Sequence, residues 1–193
     1  MVAIPTARRI AAAAKRLLDQ EGIEAVTMRR VAHSVGITPM AVYRHFPDRA
    51  GLLNALVDAG FEDLSLRLTT ARLSGDIEKR LNKVLDICLD HALQHPKLFE
   101  LMFLGQRQGA PCFPNDLKAG QSPTANVMAH LIQEGMETGV FREDDAWEIA
   151  FEMGALLQGL LMLYFGGGMD MPVSRFRTFC RRAFSRYMHG ICN

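Results

Sequence analysis

Met40, Tyr43 and Arg44 are the residues of this chain whose types and spacing could do chemistry on a partner. They fall in the short stretch between Thr38 and Pro47. At about 100° per residue, Val42 and Phe46 share one side of a helix, and Met40, Tyr43 and Arg44 lie roughly opposite. A thioether, a phenol and a guanidinium turned to solvent have little use on a purely structural helix of this length. They suit a surface that must meet thymine methyls, base edges and phosphates together, and a helix fits a major groove about 12 Å wide.

The surrounding residues supply the elements that would position them. Thr38 is an N-cap and Pro39 takes the first helical position, where a missing N–H costs nothing. Pro47 stops the helix near Phe46. The preceding helix is capped by Thr27, buries Met28, Val31, Ala32 and Val35, and ends at Gly36 in the C′ position. Arg30 stands where a capping box would place Glu, so that box is absent. Arg29 and Arg30, in the first turn of this helix, point toward a flanking nucleic-acid backbone. The dipole at Thr38 and Pro39 favours a phosphate near the end that would enter the groove first. Upstream, Thr6 caps a first helix carrying Ile10, Ala13, Ala14, Leu17 and Leu18, which Gly22 stops. Downstream, Asp48 caps a fourth helix with Leu52, Leu53, Leu56, Val57, Phe61 and Leu64 inward. The alternative for the pair is an ordinary helical hairpin with a solvated basic side.

Charge is distributed to match. Residues 1–54 carry eight Lys/Arg against four Asp/Glu, or +4, so the remainder is −3 in a chain of net +1. A basic head on a mildly acidic body suggests a polyanion met at one end only.

The stretch Thr27-Met28-Arg29-Arg30-Val31-Ala32, then Val35-Gly36-Ile37-Thr38, then Ala41-Val42-Tyr43-Arg44-His45-Phe46-Pro47-Asp48-Arg49, then Leu52-Leu53 resembles the DNA-binding head of the TetR family of bacterial transcriptional regulators. The resemblance covers Thr6–Phe61, and its most specific element is Val42-Tyr43-Arg44-His45-Phe46. It implies that Tyr43 and His45 touch phosphate or nearby bases and that Arg49, opening the fourth helix, meets phosphate. It also implies that Thr38, Pro39, Met40 and Arg29 set base choice, and that the protein is a dimer on a palindromic operator, usually a repressor. Helical geometry alone turns His45 away from Met40 and Arg44, which leaves a histidine packing the turn as its alternative.

The remainder reads as helices too. A long amphipathic one carries Ile77, Leu81, Val84, Leu85, Cys88, Leu89 and Ala92. After Pro96 comes a short apolar one to Leu104, then a loop over residues 105–121. Ser122-Pro123 opens another helix, closed by Gly139, and Asp145 with Glu148 makes a capping-box pattern for the helix from Ala146 to about Phe165. Pro172 opens the last. Nothing reads as strand. The expected fold is all-α with about nine helices: a helix-turn-helix DNA-binding domain over 1–52 and a ligand-binding and dimerisation body over 53–193, linked by the fourth helix over 48–73.

Two functional surfaces follow for the body. The Ala146–Phe165 helix is apolar nearly all round after Met153 and must be covered on every side. Ala150, Gly154, Leu157 and Leu161 on it, with Phe176, Phe179, Ala183, Phe184 and Tyr187 on the last helix, form a candidate homodimer interface; the same faces could instead meet within one subunit. Phe99, Met102, Phe103, Met128, Leu131, Trp147, Phe151 and Met162 are large and deformable, with Gln158 among them, and would line a pocket for a small, largely apolar inducer. Plain core is the alternative for that stripe. His95-Pro96-Lys97-Leu98-Phe99-Glu100-Leu101-Met102-Phe103 resembles a segment of TetR-type ligand-binding domains.

Catalytic and metal motifs are missing from the sequence. There is no nucleophile elbow, phosphate-cradling glycine loop or HExxH, and His91 with His95 offers two metal ligands only. The expected chain is therefore not an enzyme and needs no cofactor or metal. The four cysteines show no paired spacing and read as reduced thiols, with a redox switch through Cys180 or Cys192 as the alternative. The uncharged run Met153–Met169 falls short of a membrane span of roughly 20 residues. The expected location is the cytoplasm, with duplex DNA as partner. A helical adaptor that binds protein rather than DNA is the competing function.

Overall fold

The computed structural model describes residues 5–105 and 110–192. Among them are ten α-helices, a single 3-10 turn at Ile23–Ala25 and no strand. The helices are α1 Thr6–Glu21, α2 Met28–Val35, α3 Pro39–Tyr43, α4 Arg49–Thr70, α5 Ile77–Gln94, α6 Pro96–Leu104, α7 Asn115–Lys118, α8 Pro123–Glu137, α9 Ala146–Phe165 and α10 Val173–Ile191. The helix beyond the expected nine is α7, a single turn inside the expected loop; residues 106–109 of that loop lie outside the described residues. Asp116 anchors this turn by accepting from the Cys112 N–H at 2.9 Å. One turn has no period for a sequence to display.

The caps explain most boundaries. Pro5, rather than Thr6, occupies the N-cap of α1, and Thr6 is its first residue. Asp48 caps α4, accepting the Gly51 N–H at 2.7 Å. Asp145 caps α9, accepting from the Trp147 and Glu148 N–H groups at 3.0 and 3.2 Å. The reciprocal half of the expected box is replaced, because the Asp145 N–H donates to Asp144 at 2.8 Å.

The chain divides into two compact units. One holds the described residues up to Asp63 and from Gln94 to 105; the other holds Leu64–Leu93 and those from 110 to 192. In the first, Ile10 and Leu18 of α1, Val31 of α2, Val42 of α3, Leu52 of α4 and Leu98 of α6 close one core. Each such fully buried side chain contributes about 2 kcal/mol. This division differs from a boundary after residue 52, and the physical reason is α6. Its Leu98 and Met102 belong to the head's core, and α6 packs on α1. Gly60 permits a close α4–α6 approach, since a Cβ there would lie 2.7 Å from Met102 Sδ. Lys15 of α1 adds a polar link, with its ammonium 2.7 Å from Asp19 and 3.3 Å from His95 Nδ1.

In the second unit α9 packs on α8 and α10 around Ile132, Met153, Leu161, Phe176 and Phe184. Ion pairs brace it: Arg80 with Glu134, Arg177 with Asp90, and Arg181 with Asp86 at 2.9 Å.

Candidate nucleic-acid interface

The turn between α2 and α3 is closed by backbone. Gly36 sits in the left-handed region at φ 74°, where a side chain is strained, and the Ile37 N–H reaches back to the Ala32 carbonyl at 3.0 Å. Thr27 and Thr38 cap the two helices, each accepting an N–H at 3.3 Å, from Arg30 and Ala41 respectively. Helix α3 is shorter than expected. It ends at Tyr43, and the His45 and Phe46 N–H groups both turn onto the Val42 carbonyl, at 2.9 and 3.0 Å. Pro47 offers no N–H with which to continue it and biases Phe46 away from helix.

Val42 is the anchor, fully buried, with Phe46 packed beside it against the head's core. Around that anchor Met40 is 66% and Tyr43 47% exposed. Thr38, Pro39, Arg44, His45, Arg29 and Arg30 are exposed as well. His45 is thus at the surface rather than packing the turn.

The arginines differ in what already holds them. Arg30 donates to Glu21 at 2.6 Å, a pair in which the hydrogen bond holds the Glu21 carboxyl below the usual carboxylate range and raises Arg30. Arg49, half-buried, donates from Nε to the Val26 carbonyl at 2.8 Å and from Nη2 to the Ile23 carbonyl at 2.6 Å. Arg9 donates to the Val35 carbonyl at 3.1 Å. The Arg29 and Arg44 guanidinium groups have no hydrogen-bond or ion-pair partner among the described residues. Two shallow clefts run over this basic surface. One, of about 320 Å³, is lined by Arg8, Arg9, Arg16 and Ser34; the other, of about 350 Å³, by Arg29, Arg30, His33 and Ser34. The α1 arginines in the first cleft were not among the expected contacts, although the charge excess of residues 1–54 includes them.

The expected pocket residues fall in different units. Phe99 and Met102 are buried, and Phe103 half-buried, in the same unit as α1–α3; Phe103 meets Phe99 at 4.7 Å and Phe61 at 5.5 Å between ring centroids. Met128, Leu131, Trp147, Phe151, Gln158 and Met162 lie in the other unit. There Trp147 meets His130 edge-on, while Phe151 is 45% exposed and stacked on Phe113 at 4.4 Å. Periodicity marks a side chain as buried without saying against what.

Of the expected interface residues, Ala150, Leu161, Phe176 and Phe184 are buried within the single chain, and Gly154, Leu157, Phe179, Ala183 and Tyr187 are half-buried. Phe176 stacks on Tyr164 at 4.1 Å, and the Tyr187 hydroxyl donates to Glu152. A different stripe of α9, Phe151, Ala155, Gly159 and Leu163, stands exposed at four-residue intervals. By length and hydropathy α9 alone among the described helices could cross a membrane, and only 28% of its most apolar window is buried.

Comparisons with known proteins agree with this architecture. Residues 10–56 match the family model for bacterial regulatory proteins of the tetR family, and residues 81–187 match the tetracyclin repressor-like C-terminal domain. An HTH-type transcriptional regulator of Staphylococcus aureus strain MRSA252 is 27% identical over 157 residues, covering 79% of this chain and 76% of that protein. A solved tetR-family regulatory protein from Rhodococcus RHA1 superimposes with a TM-score of 0.73 at 20% identity, over 99% of this chain and 100% of that one. A regulator from Saccharomonospora viridis, solved in complex with choline, gives 0.71 at 23% identity over 97% and 98%.

Proposed function

Because this chain belongs to the tetR family of bacterial transcriptional regulators, we propose that it is a ligand-responsive repressor acting as a homodimer on a palindromic operator. The observation that carries the reading is α3 itself, where a fully buried Val42 presents Met40 and Tyr43 to solvent at 66% and 47% exposure. Tyr43 and Arg44 meet base edges or phosphate; Thr38, Pro39 and Met40 enter the groove first. Arg29, Arg30 and His45 meet the flanking backbone. A second copy covers the exposed α9 stripe, because an apolar helix face of that length is otherwise left in water. Two heads then address successive major grooves, with half-sites about 34–36 Å apart.

A small, largely apolar molecule held among the body's Met, Trp and Phe side chains releases the operator. It can weaken binding only by its differential affinity for the two states, commonly ~1–3 kcal/mol. Selection of bound duplexes from a random pool tests the reading. A two-fold symmetric site with half-sites one helical turn apart is expected; an absence of enrichment, with binding insensitive to salt, would point to a protein-binding adaptor instead. Choline and uncharged apolar compounds are then added to the recovered complex. Unchanged affinity with all of them would remove the inducer part of the proposal.

A further inference from the structure

The two ends of the helix-turn-helix segment are joined by one side chain. Val26 lies immediately before Thr27, the α2 cap, and Arg49 is the first residue of α4, immediately after the reading helix and its turn. The Arg49 guanidinium donates Nε–H to the Val26 carbonyl at 2.8 Å and Nη2–H to the Ile23 carbonyl at 2.6 Å, with Glu24 Oε1 at 3.6 Å. Ile23 and Val26 bracket the 3-10 turn between α1 and α2, and the Val26 side chain is fully buried. A planar fork with two nitrogens fixed on backbone carbonyls has a set orientation. It closes residues 26–49 into a loop whose remaining contents are α2, the Gly36 turn and α3.

We propose that Arg49 is a positioning residue for DNA reading, a clamp that closes the base of the helix-turn-helix and holds α2 and α3 at one presentation angle, rather than a phosphate contact. The carbonyls it grips close a short helical turn, where a cation is favoured: Ile23 O also accepts the Val26 N–H at 3.1 Å, and Val26 O is the turn's last carbonyl. Lysine cannot replace it, because one ammonium on a flexible stem does not reproduce a rigid pair of parallel donors. The clamp acts through Tyr43, Arg44 and the α3 N-terminus, and the loss of it costs base reading more than backbone attraction.

The full-length protein is compared with Arg49→Lys and Arg49→Ala. In the DNA-free state, amide exchange over residues 23–46 quickens in both variants while α10 keeps its wild-type protection. The duplex most enriched by the wild-type protein from a random pool is bound at least about tenfold more weakly by both, because the elements that two charge-assisted hydrogen bonds hold ready must then be ordered on binding. On a random-sequence duplex both keep the wild-type slope of log affinity against log salt. Restoration of binding by lysine would overturn the proposal, as would a slope flattened by about 0.9, the signature of one lost phosphate contact. Unchanged exchange in both variants overturns it equally. If the wild-type protein enriches no duplex, the DNA reading itself fails, and the exchange measurement still decides whether the clamp exists.

Discussion

Gly135→Ala places one methyl group where the body has no room for it. The added Cβ would lie 2.4 and 2.6 Å from Phe141 Cδ2 and Cε2, and 3.3 Å from Ile77 Cγ2. Carbon atoms pack at about 3.5–4.0 Å, so the ring must retreat by about 1 Å. It has little freedom to do so. Phe141 is 3% exposed, its N–H donates to the Gly135 carbonyl at 3.0 Å, and the next N–H, of Arg142, donates to Ile191 at 2.9 Å. Forcing a methyl into such a site costs typically ~1–3 kcal/mol, offset by the ~0.5–1 kcal/mol that alanine gains over glycine in a helix. The expected net loss is about 1–2 kcal/mol, or roughly 2–8 °C in Tm for a chain of this size. Gly60→Ala is the matched opposite. Its Cβ meets Met102 Sδ at 2.7 Å and Leu98 Cδ2 at 3.3 Å, but a methionine can swing aside, so the helix gain roughly cancels the clash. Thermal melts followed by far-UV circular dichroism decide between them. A Gly135→Ala protein that melts at or above the wild type, or a Gly60→Ala protein that falls as far, would refute this reasoning.

Three further outcomes follow from polar and thiol groups. Asp145→Ala removes the α9 cap and costs about 1 kcal/mol, seen as a lower Tm. The Lys118 hydrogen bond is the largest cause holding the Asp145 carboxyl below its ordinary value. Its stabilisation is therefore full above the unfolded pKa and lost as pH falls through the lower folded one, and Asp145→Asn should flatten that acid limb of the melting curve. Glu21→Gln releases Arg30 from its 2.6 Å partner; on a random duplex the salt slope should steepen by up to about 0.9, and an unchanged slope would remove Arg30 from the phosphate-binding set. Burial pushes the Cys180 thiol up to about 11, whereas Cys112 is exposed. Brief alkylation of the native protein at neutral pH should therefore label Cys112 and spare Cys180; rapid labelling of Cys180 would revive it as a redox-active group.

The head was legible because its signals are local. Thr27, Gly36, Thr38-Pro39 and Asp48 each act on backbone within a few residues, and each sits in the structure at the cap or turn its type suggests. The outward set of Met40, Tyr43 and Arg44 followed from helical angle once Val42 was recognised as the anchor. What stayed hidden depends on partners distant in sequence. The apolar composition of α6 was plain, but not that its Leu98 and Met102 join the head's core and that α6 packs on α1. Arg49 carried the right charge for a phosphate, and nothing local revealed that carbonyls at Ile23 and Val26 occupy its fork. In α9 the apolar composition was plain, yet the exposed line is Phe151, Ala155, Gly159 and Leu163, because Ala150 and Leu161 are consumed by contacts inside the chain.

The most direct test is binding of the selected duplex across a salt series by the wild-type protein, Tyr43→Ala and Arg44→Ala. Both side chains lie on the surface, so both variants should keep the wild-type circular dichroism spectrum and melting temperature. Expected for the wild type is tight binding at low salt that weakens linearly in log–log form, and for each variant a loss of at least about tenfold, the scale of one base or phosphate contact. Variants that retain wild-type affinity and slope while folded would show that α3 does not read DNA.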